Sequence, residues 1–378
     1  MHTKEEVTAV IRDLWSQVLE SDELPGDIDF YAAGGSSLMS LVLVTELNEA
    51  FSTEFAIAEL VGCRTIDTQS EAVWNRMTRG ATAQDEQAVL VPLARARKAS
   101  GEQDATFVAV HDVSGDIYGY TSLAGELSGR VDLFGIKLAP ERFDAPRALS
   151  IPGLASEYVA ELESAFGDSR QLVILGWSLG GMVGFEMAKL LDQRQRPAAR
   201  LVLIDSPYEL DLPGPDDAGR GAFLPEDERK LLDEFGWLGG GEPLFPYEAS
   251  VEDMWRAVRA RLDAPVKERL AAEFQRRFPL VARAIPHLSS LNTLEFVCYI
   301  NRFRSVFQAG RSYRLTGATA APIELLTASR SRNFDPRWST HTLASFRRRS
   351  LDGDHFSILD RTSIRATAQA IIISNAAQ

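Results

Sequence analysis

Ser178 stands in the run Leu172-Val173-Ile174-Leu175-Gly176-Trp177-Ser178-Leu179-Gly180-Gly181, a serine with a glycine two residues to either side. Glycine at those places permits the strained turn from strand into helix that pushes a serine hydroxyl out at the edge of a sheet. A hydroxyl is a poor nucleophile at neutral pH, so a base must stand within hydrogen-bond reach and a third group must hold that base in the right tautomer. Both follow in chain order. Asp205 ends the apolar run Leu201-Val202-Leu203-Ile204, and His355 sits in Asp352-Gly353-Asp354-His355-Phe356. Asp335, beyond the apolar run near Ile323, is the alternative acid; position at a strand end favours Asp205. Of the other histidines, His2 is terminal, His287 follows Pro286 and His341 lies in a polar turn. The chemistry expected of Ser178, Asp205 and His355 is acyl transfer through a covalent ester, with the Leu179 N–H as one donor to the oxyanion.

A second serine motif, Gly34-Gly35-Ser36-Ser37-Leu38, is of another kind. Two glycines allow close approach of the backbone, and Ser37 opens a helical pattern whose first N–H groups and positive end would stabilise a phosphodiester. Serine is also a common helix cap, so this string alone fits a structural role as well.

Two kinds of element must position these serines. From Glu5 the apolar residues Val7, Val10, Ile11, Leu14, Trp15, Val18 and Leu19 recur at helical spacing, and a second helix is expected from about Ser37 through Leu47. Shorter helices around Ile57 to Leu60 and Thr68 to Met77 would complete a four-helix bundle, with residues 79–87 as a polar connector. Beyond it, strand-like runs at Val89 to Pro92, Phe107 to His111, Leu133 to Leu138, Leu172 to Gly176, Leu201 to Ile204 and Ile323 to Leu326 alternate with helical stretches. Strands apolar throughout imply a sheet covered on both faces, hence a doubly wound α/β domain. The interval 207–321 is too long for a connector and reads as a helical insertion over the sheet's C-terminal edge. Its Arg256, Arg259, Arg261, Arg276 and Arg277 read as solvated helix faces.

Composition narrows the class further. The net charge of -13 is unevenly spread, since residues 1–78 hold 14 acidic against 4 basic residues. Nucleic acid is excluded as a partner on that balance, and an acidic small unit suits electrostatic steering onto basic surfaces. Cys63 and Cys298 lie far apart without metal-binding spacing, so no disulfide framework or zinc site is expected, and both read as buried apolar residues. No apolar run is long enough to span a bilayer, and a cytoplasmic location is expected.

With those motifs in place, Asp29-Phe30-Tyr31-Ala32-Ala33-Gly34-Gly35-Ser36-Ser37-Leu38 inside an acidic helical unit resembles the carrier domains of nonribosomal peptide and polyketide synthetases. The resemblance implies covalent 4'-phosphopantetheine on Ser37, loaded by a phosphopantetheinyl transferase. Residues 88–375 in turn resemble a type I thioesterase of α/β-hydrolase fold, which implies a triad of Ser178, Asp205 and His355. It also implies a second oxyanion donor at the Val113 N–H, in the loop His111-Asp112-Val113-Ser114-Gly115. Relatives often carry proline where this chain has Asp112. The expected architecture is a four-helix carrier bundle over 1–78, a linker over 79–87 and an α/β-hydrolase domain over 88–378 with a lid at about 207–321. The expected substrate is an acyl or peptidyl chain on pantetheine, received from upstream synthetase domains and released by hydrolysis or cyclisation. A generic esterase or lipase, and a non-catalytic carrier and docking module, are the alternatives. The former would not need the acidic bundle, and the latter would leave Ser178 unreactive.

Overall fold

The structure, a computed structural model, describes residues 3–30, 32–35, 37–53, 63–79, 89–96, 105–139, 143–167, 170–210, 223–234, 245–277, 288–333, 335–360 and 362–373. The expected helix around Ile57 to Leu60, the connector from residue 80 to 87, His2 and His287 lie outside these.

The N-terminal unit shows helices α1 (Lys4–Leu19), α2 (Ser37–Phe51) and α3 (Ile66–Arg79). Arg79, expected in the connector, ends α3. A reciprocal cap starts α1: the Thr3 side chain accepts from the Glu6 N–H and the Glu6 carboxylate accepts from the Thr3 N–H. The apolar stripe of α1 then packs Val7, Ile11 and Trp15 against Leu43 and Leu47 of α2 and Ile66 and Val73 of α3. Trp15 Nε1 donates to buried Gln69 Oε1 at 2.8 Å, so the indole is buried without losing its hydrogen bond.

The α/β domain is built on a seven-stranded sheet. Its strands are β1 (Leu90–Ala94), β2 (Thr106–Val110), β3 (Asp132–Ile136), β4 (Leu172–Trp177), β5 (Arg200–Ile204), β6 (Ile323–Ala328) and β7 (Phe346–Leu351), in the order β1-β3-β2-β4-β5-β6-β7. All pairs are parallel except β1 with β3. Every residue of β2, β4, β5 and β6 is buried, as largely apolar central strands require, and buried Arg200 of β5 pairs with Glu324 of β6 at 3.0 Å. One face carries α5 (Ile151–Phe166) and α6 (Gly180–Gln193), and the other carries α4 (Thr121–Leu127) and α11 (Ile364–Ile373). Strand β7 was not expected from the sequence. It is an edge strand whose Phe-Arg-Arg-Arg-Ser-Leu has no fully buried residue, and it has no apolar run to reveal it.

Between β5 and β6 lie α7 (Pro225–Glu234), α8 (Val251–Ala260), α9 (Ala264–Arg277) and α10 (Thr293–Ser312). This insertion has a core of its own, with Leu232, Trp255, Phe274, Phe296 and Phe303 at its centre. Arg304 makes a buried two-pronged bond to Glu228, at 2.6 and 2.8 Å, and Trp255 Nε1 donates to the same carboxylate at 2.6 Å. That carboxylate ties α7, α8 and α10 together. The surface arginines behave as expected: Arg256, Arg259 and Arg276 pair with Asp253, Asp144 and Glu273. Cys63 and Cys298 are free thiols, half-buried rather than fully buried.

Candidate active site

Strand β4 delivers Ser178 and β5 delivers Asp205, both at the C-terminal edge of the sheet. Both residues have left-handed backbone, with φ of 55° and 44°. Such strain persists where the surroundings over-determine it. At the elbow they do: a Cβ on Gly176 would lie 2.4 Å from the Gly180 carbonyl oxygen, and one on Gly180 would lie 2.5 Å from the Val110 oxygen. Only glycine lets α6 start so close to β2 and β4. The Ser178 N–H donates to Ile204 O at 3.1 Å, which ties the elbow to the neighbouring strand.

His355 follows β7, on a turn held by the Asp354 carboxylate, which accepts the Phe356 and Ser357 N–H groups at 3.1 and 3.0 Å. Its Nε2 lies 3.0 Å from Ser178 Oγ and its Nδ1 lies 2.7 Å from Asp205 Oδ2. The second contact places the ring proton on Nδ1 and leaves Nε2 to accept from the serine hydroxyl. Asp205 is wholly buried and its Oδ1 accepts the Ala328 N–H at 2.9 Å. Burial alone would raise its carboxyl, but hydrogen bonds from His355, Ser331 and the Ala328 N–H outweigh this and hold it below the ordinary carboxylate range. Asp335, the alternative acid, caps the turn at Pro336–His341 and binds Arg337 at 2.6 Å instead. His341 bonds Tyr208 and the Gly317 carbonyl.

Three neighbours were not singled out from sequence. Trp177 Nε1 donates to the His355 carbonyl at 2.9 Å, and its ring stacks on the imidazole at 5.3 Å between centroids. Tyr120 accepts the Trp177 N–H at 2.6 Å and donates to Val110 O at 2.8 Å, bridging the ends of β4 and β2. Asn333 Nδ2 donates to Asp205 Oδ2 at 3.2 Å and to its main-chain oxygen at 3.1 Å. Trp177 stood in the motif itself; Tyr120 and Asn333 carry no local signature.

Leu179 heads α6, directly after the serine. Val113 lies in the loop after β2, between two anchors. His111 is fully buried, its Nδ1 donating to Asp112 O and its Nε2 accepting from Tyr158 Oη, both at 2.6 Å. Burial lowers its pKa to about 4, so it is a neutral structural group. Asp112 accepts the Ser114 N–H at 2.7 Å and the Ser114 hydroxyl at 2.5 Å, closing a turn around Val113.

Residues 105–372 match the thioesterase domain family and residues 9–73 match the phosphopantetheine attachment site family. The chain belongs to the thioesterase family. It is a carrier plus thioesterase didomain resembling the terminal modules of nonribosomal peptide and polyketide synthetases. A dimodular nonribosomal peptide synthase of Bacillus subtilis is 27% identical over 68% of the chain, and pyochelin synthetase PchF of Pseudomonas aeruginosa is 27% identical over 71%. The chain spans only 10% and 15% of those proteins. In fold it is similar to a four-domain nonribosomal peptide synthetase solved with AMP and glycine, with a TM-score of 0.53 at 20% identity over 99% of this chain and 26% of that one. Among the described residues no helix is long and apolar enough to cross a membrane.

The attachment-site match implies 4'-phosphopantetheine on a serine, and the residues around Ser37 fit such a group. Ser37 is the first residue of the 15-residue α2, whose first turn holds no acidic residue to repel a phosphodiester. Among the described residues nothing lies within 4 Å of where a Cβ on Gly34, at φ 110°, would stand, whereas one on Gly35 would lie 2.2 Å from the Phe30 ring. The side chain of Ser37, like Ser36 and Tyr31, lies outside the described residues.

Proposed function

We propose that this didomain carries out chain release for a nonribosomal peptide or hybrid polyketide synthetase, with residues 1–78 as carrier, 79–87 as linker and 88–378 as thioesterase, its lid at about 207–321. A phosphopantetheinyl transferase loads Ser37 and upstream synthetase domains supply the cargo, in the cytoplasm. The observation that carries this reading is the bonded series Ser178, His355 and Asp205, at 3.0 and 2.7 Å, on a chain that also holds an attachment site.

The arm on Ser37 supplies an acyl or peptidyl group as a thioester on a flexible tether. His355 Nε2 removes the Ser178 proton as Oγ bonds to the thioester carbonyl carbon, while Asp205 stabilises the imidazolium. The Leu179 and Val113 N–H groups hold the oxyanion, each worth about 3 kcal/mol in the transition state. Collapse breaks the carbon–sulfur bond, and His355 returns its proton to the leaving thiol. His355 then deprotonates either water, giving the free acid, or an amine or hydroxyl of the cargo itself, giving a macrocycle; Ser178 regains its proton as the ester breaks.

The two serines can be separated with a soluble thioester that needs no tether, such as an acyl N-acetylcysteamine. Ser37→Ala should hydrolyse it at the wild-type rate and refuse phosphopantetheine, whereas Ser178→Ala should accept phosphopantetheine and lose turnover by about 10⁴-fold or more. Turnover surviving in Ser178→Ala would sink the assignment.

A further inference from the structure

The loop that carries Val113 contains two buried carboxylates, Asp112 and Asp116, beside a site where negative charge must develop. Those acids oppose an oxyanion unless something offsets them. Asp112 is engaged by Ser114, and Asp116 Oδ1 accepts the Ile117 N–H at 2.8 Å. The positive charge nearest them in the structure's ion pairs comes from the insertion: Arg302 Nη2, on α10, stands 3.6 Å from Asp116 Oδ2. The stem of Arg302 also lies against the loop. A Cβ on Gly115 would be 3.0 Å from its Cδ and 3.1 Å from its Cγ, at a glycine whose φ is 75°. One turn back on α10, the ring of Tyr299 lies 5.7 Å beneath the guanidinium and backs it. Loop, cation and helix therefore pack as one unit, and the Gly115 carbonyl accepts the Leu138 N–H at 2.9 Å.

We propose that Arg302 is a positioning residue for release: from the lid helix it offsets Asp116 and pins Gly115, so that the Val113 N–H is aimed at the oxyanion only while α10 is seated. This rests on the acyl-transfer reading above. The Arg302 stem packed on Gly115 and the Leu138 N–H bonded to its carbonyl together hold this part of the loop. Withdrawing the cation leaves Asp116 buried with hydrogen bonds from the Ile117 N–H and the Tyr118 hydroxyl but with its charge no longer offset by Arg302. The consequence is a hole whose competence depends on the lid.

The test uses the full chain and the acyl N-acetylcysteamine thioester, measuring kcat and KM for Arg302→Met, Arg302→Lys, Asp116→Asn and the double variant Asp116→Asn with Arg302→Met. Methionine keeps the apolar stem and removes the charge. Loss of loop register at the reacting centre should lower kcat by about 10- to 100-fold with KM within about twofold. Lysine should fall between methionine and wild type. The double variant, free of the stranded carboxylate, should recover most of the lost kcat, giving strong non-additivity. A rise in KM at unchanged kcat would assign Arg302 to substrate contact and overturn the proposal. Additive effects of the two changes would overturn it equally. Activity surviving in Ser178→Ala would instead remove the reading beneath it, so the two failures are distinguishable.

Discussion

The two serine motifs are both glycine-rich and both open a helix, yet their glycines serve opposite ends. At the carrier site a Cβ on Gly34 would meet nothing within 4 Å among the described residues, while at the thioesterase elbow Gly176 and Gly180 have backbone oxygens at 2.4 and 2.5 Å. The first glycine gives the chain a left-handed turn in open space; the second pair lets two strands and a helix meet. Under the proposed roles, the serine that carries the cofactor follows one open glycine and one, Gly35, packed against Phe30, whereas the serine that attacks has a glycine crowded by backbone on either side.

That contrast can be broken at single residues. Gly180→Ala has no room against the Val110 and His111 oxygens, so α6 must shift from β2. Destabilisation of the α/β domain by about 3 kcal/mol or more is expected, with turnover falling about 10²-fold even where the fold survives. Chemical denaturation and soluble-thioester turnover read the two effects. Gly34→Ala has the space but not the backbone, at φ 110°, and should cost about 1–2 kcal/mol within the carrier alone, leaving that turnover unchanged. Similar losses of turnover in both would dissolve the comparison.

His111 sharpens it from another side, because the loop opposite the elbow is anchored by a histidine that must stay neutral. Its folded pKa of about 4 lies below the unfolded value of 6.5, so the unfolded chain binds the extra proton between those limits. Stability is therefore full above pH 6.5 and lost as pH falls toward 4, by about 3 kcal/mol. His111→Asn should be less stable at pH 7 but show a flatter decline over that window, measured by denaturant midpoints. An equal slope in both proteins would remove His111 as the cause.

Much of this was legible in the sequence, for physical reasons. Strands β2, β4 and β5 are buried on both faces, and past the polar first residues Thr106 and Arg200 they read as continuous apolar runs; the elbow's glycines are there because crowding forbids anything else. What escaped was whatever depends on long-range placement. β7 sits at the sheet edge, where arginines are tolerated and no pattern is imposed. Asn333 and Tyr120 meet the site only through the fold, and Arg302 is one arginine among the many of a helical insertion. Asp205 follows β5 and Asp335 follows β6; strand-end position favoured the first, and the fold brings it to His355 while Asp335 is taken up by Arg337.

The most direct measurement follows a thioester-bound acyl group on the pantetheine arm by intact-protein mass, in wild type and in Ser178→Ala. The load should disappear from wild type and persist in the variant, with the Ser37 peptide carrying it. Loss at the same rate from both proteins would mean that cargo leaves without passing through Ser178, and the account would be wrong.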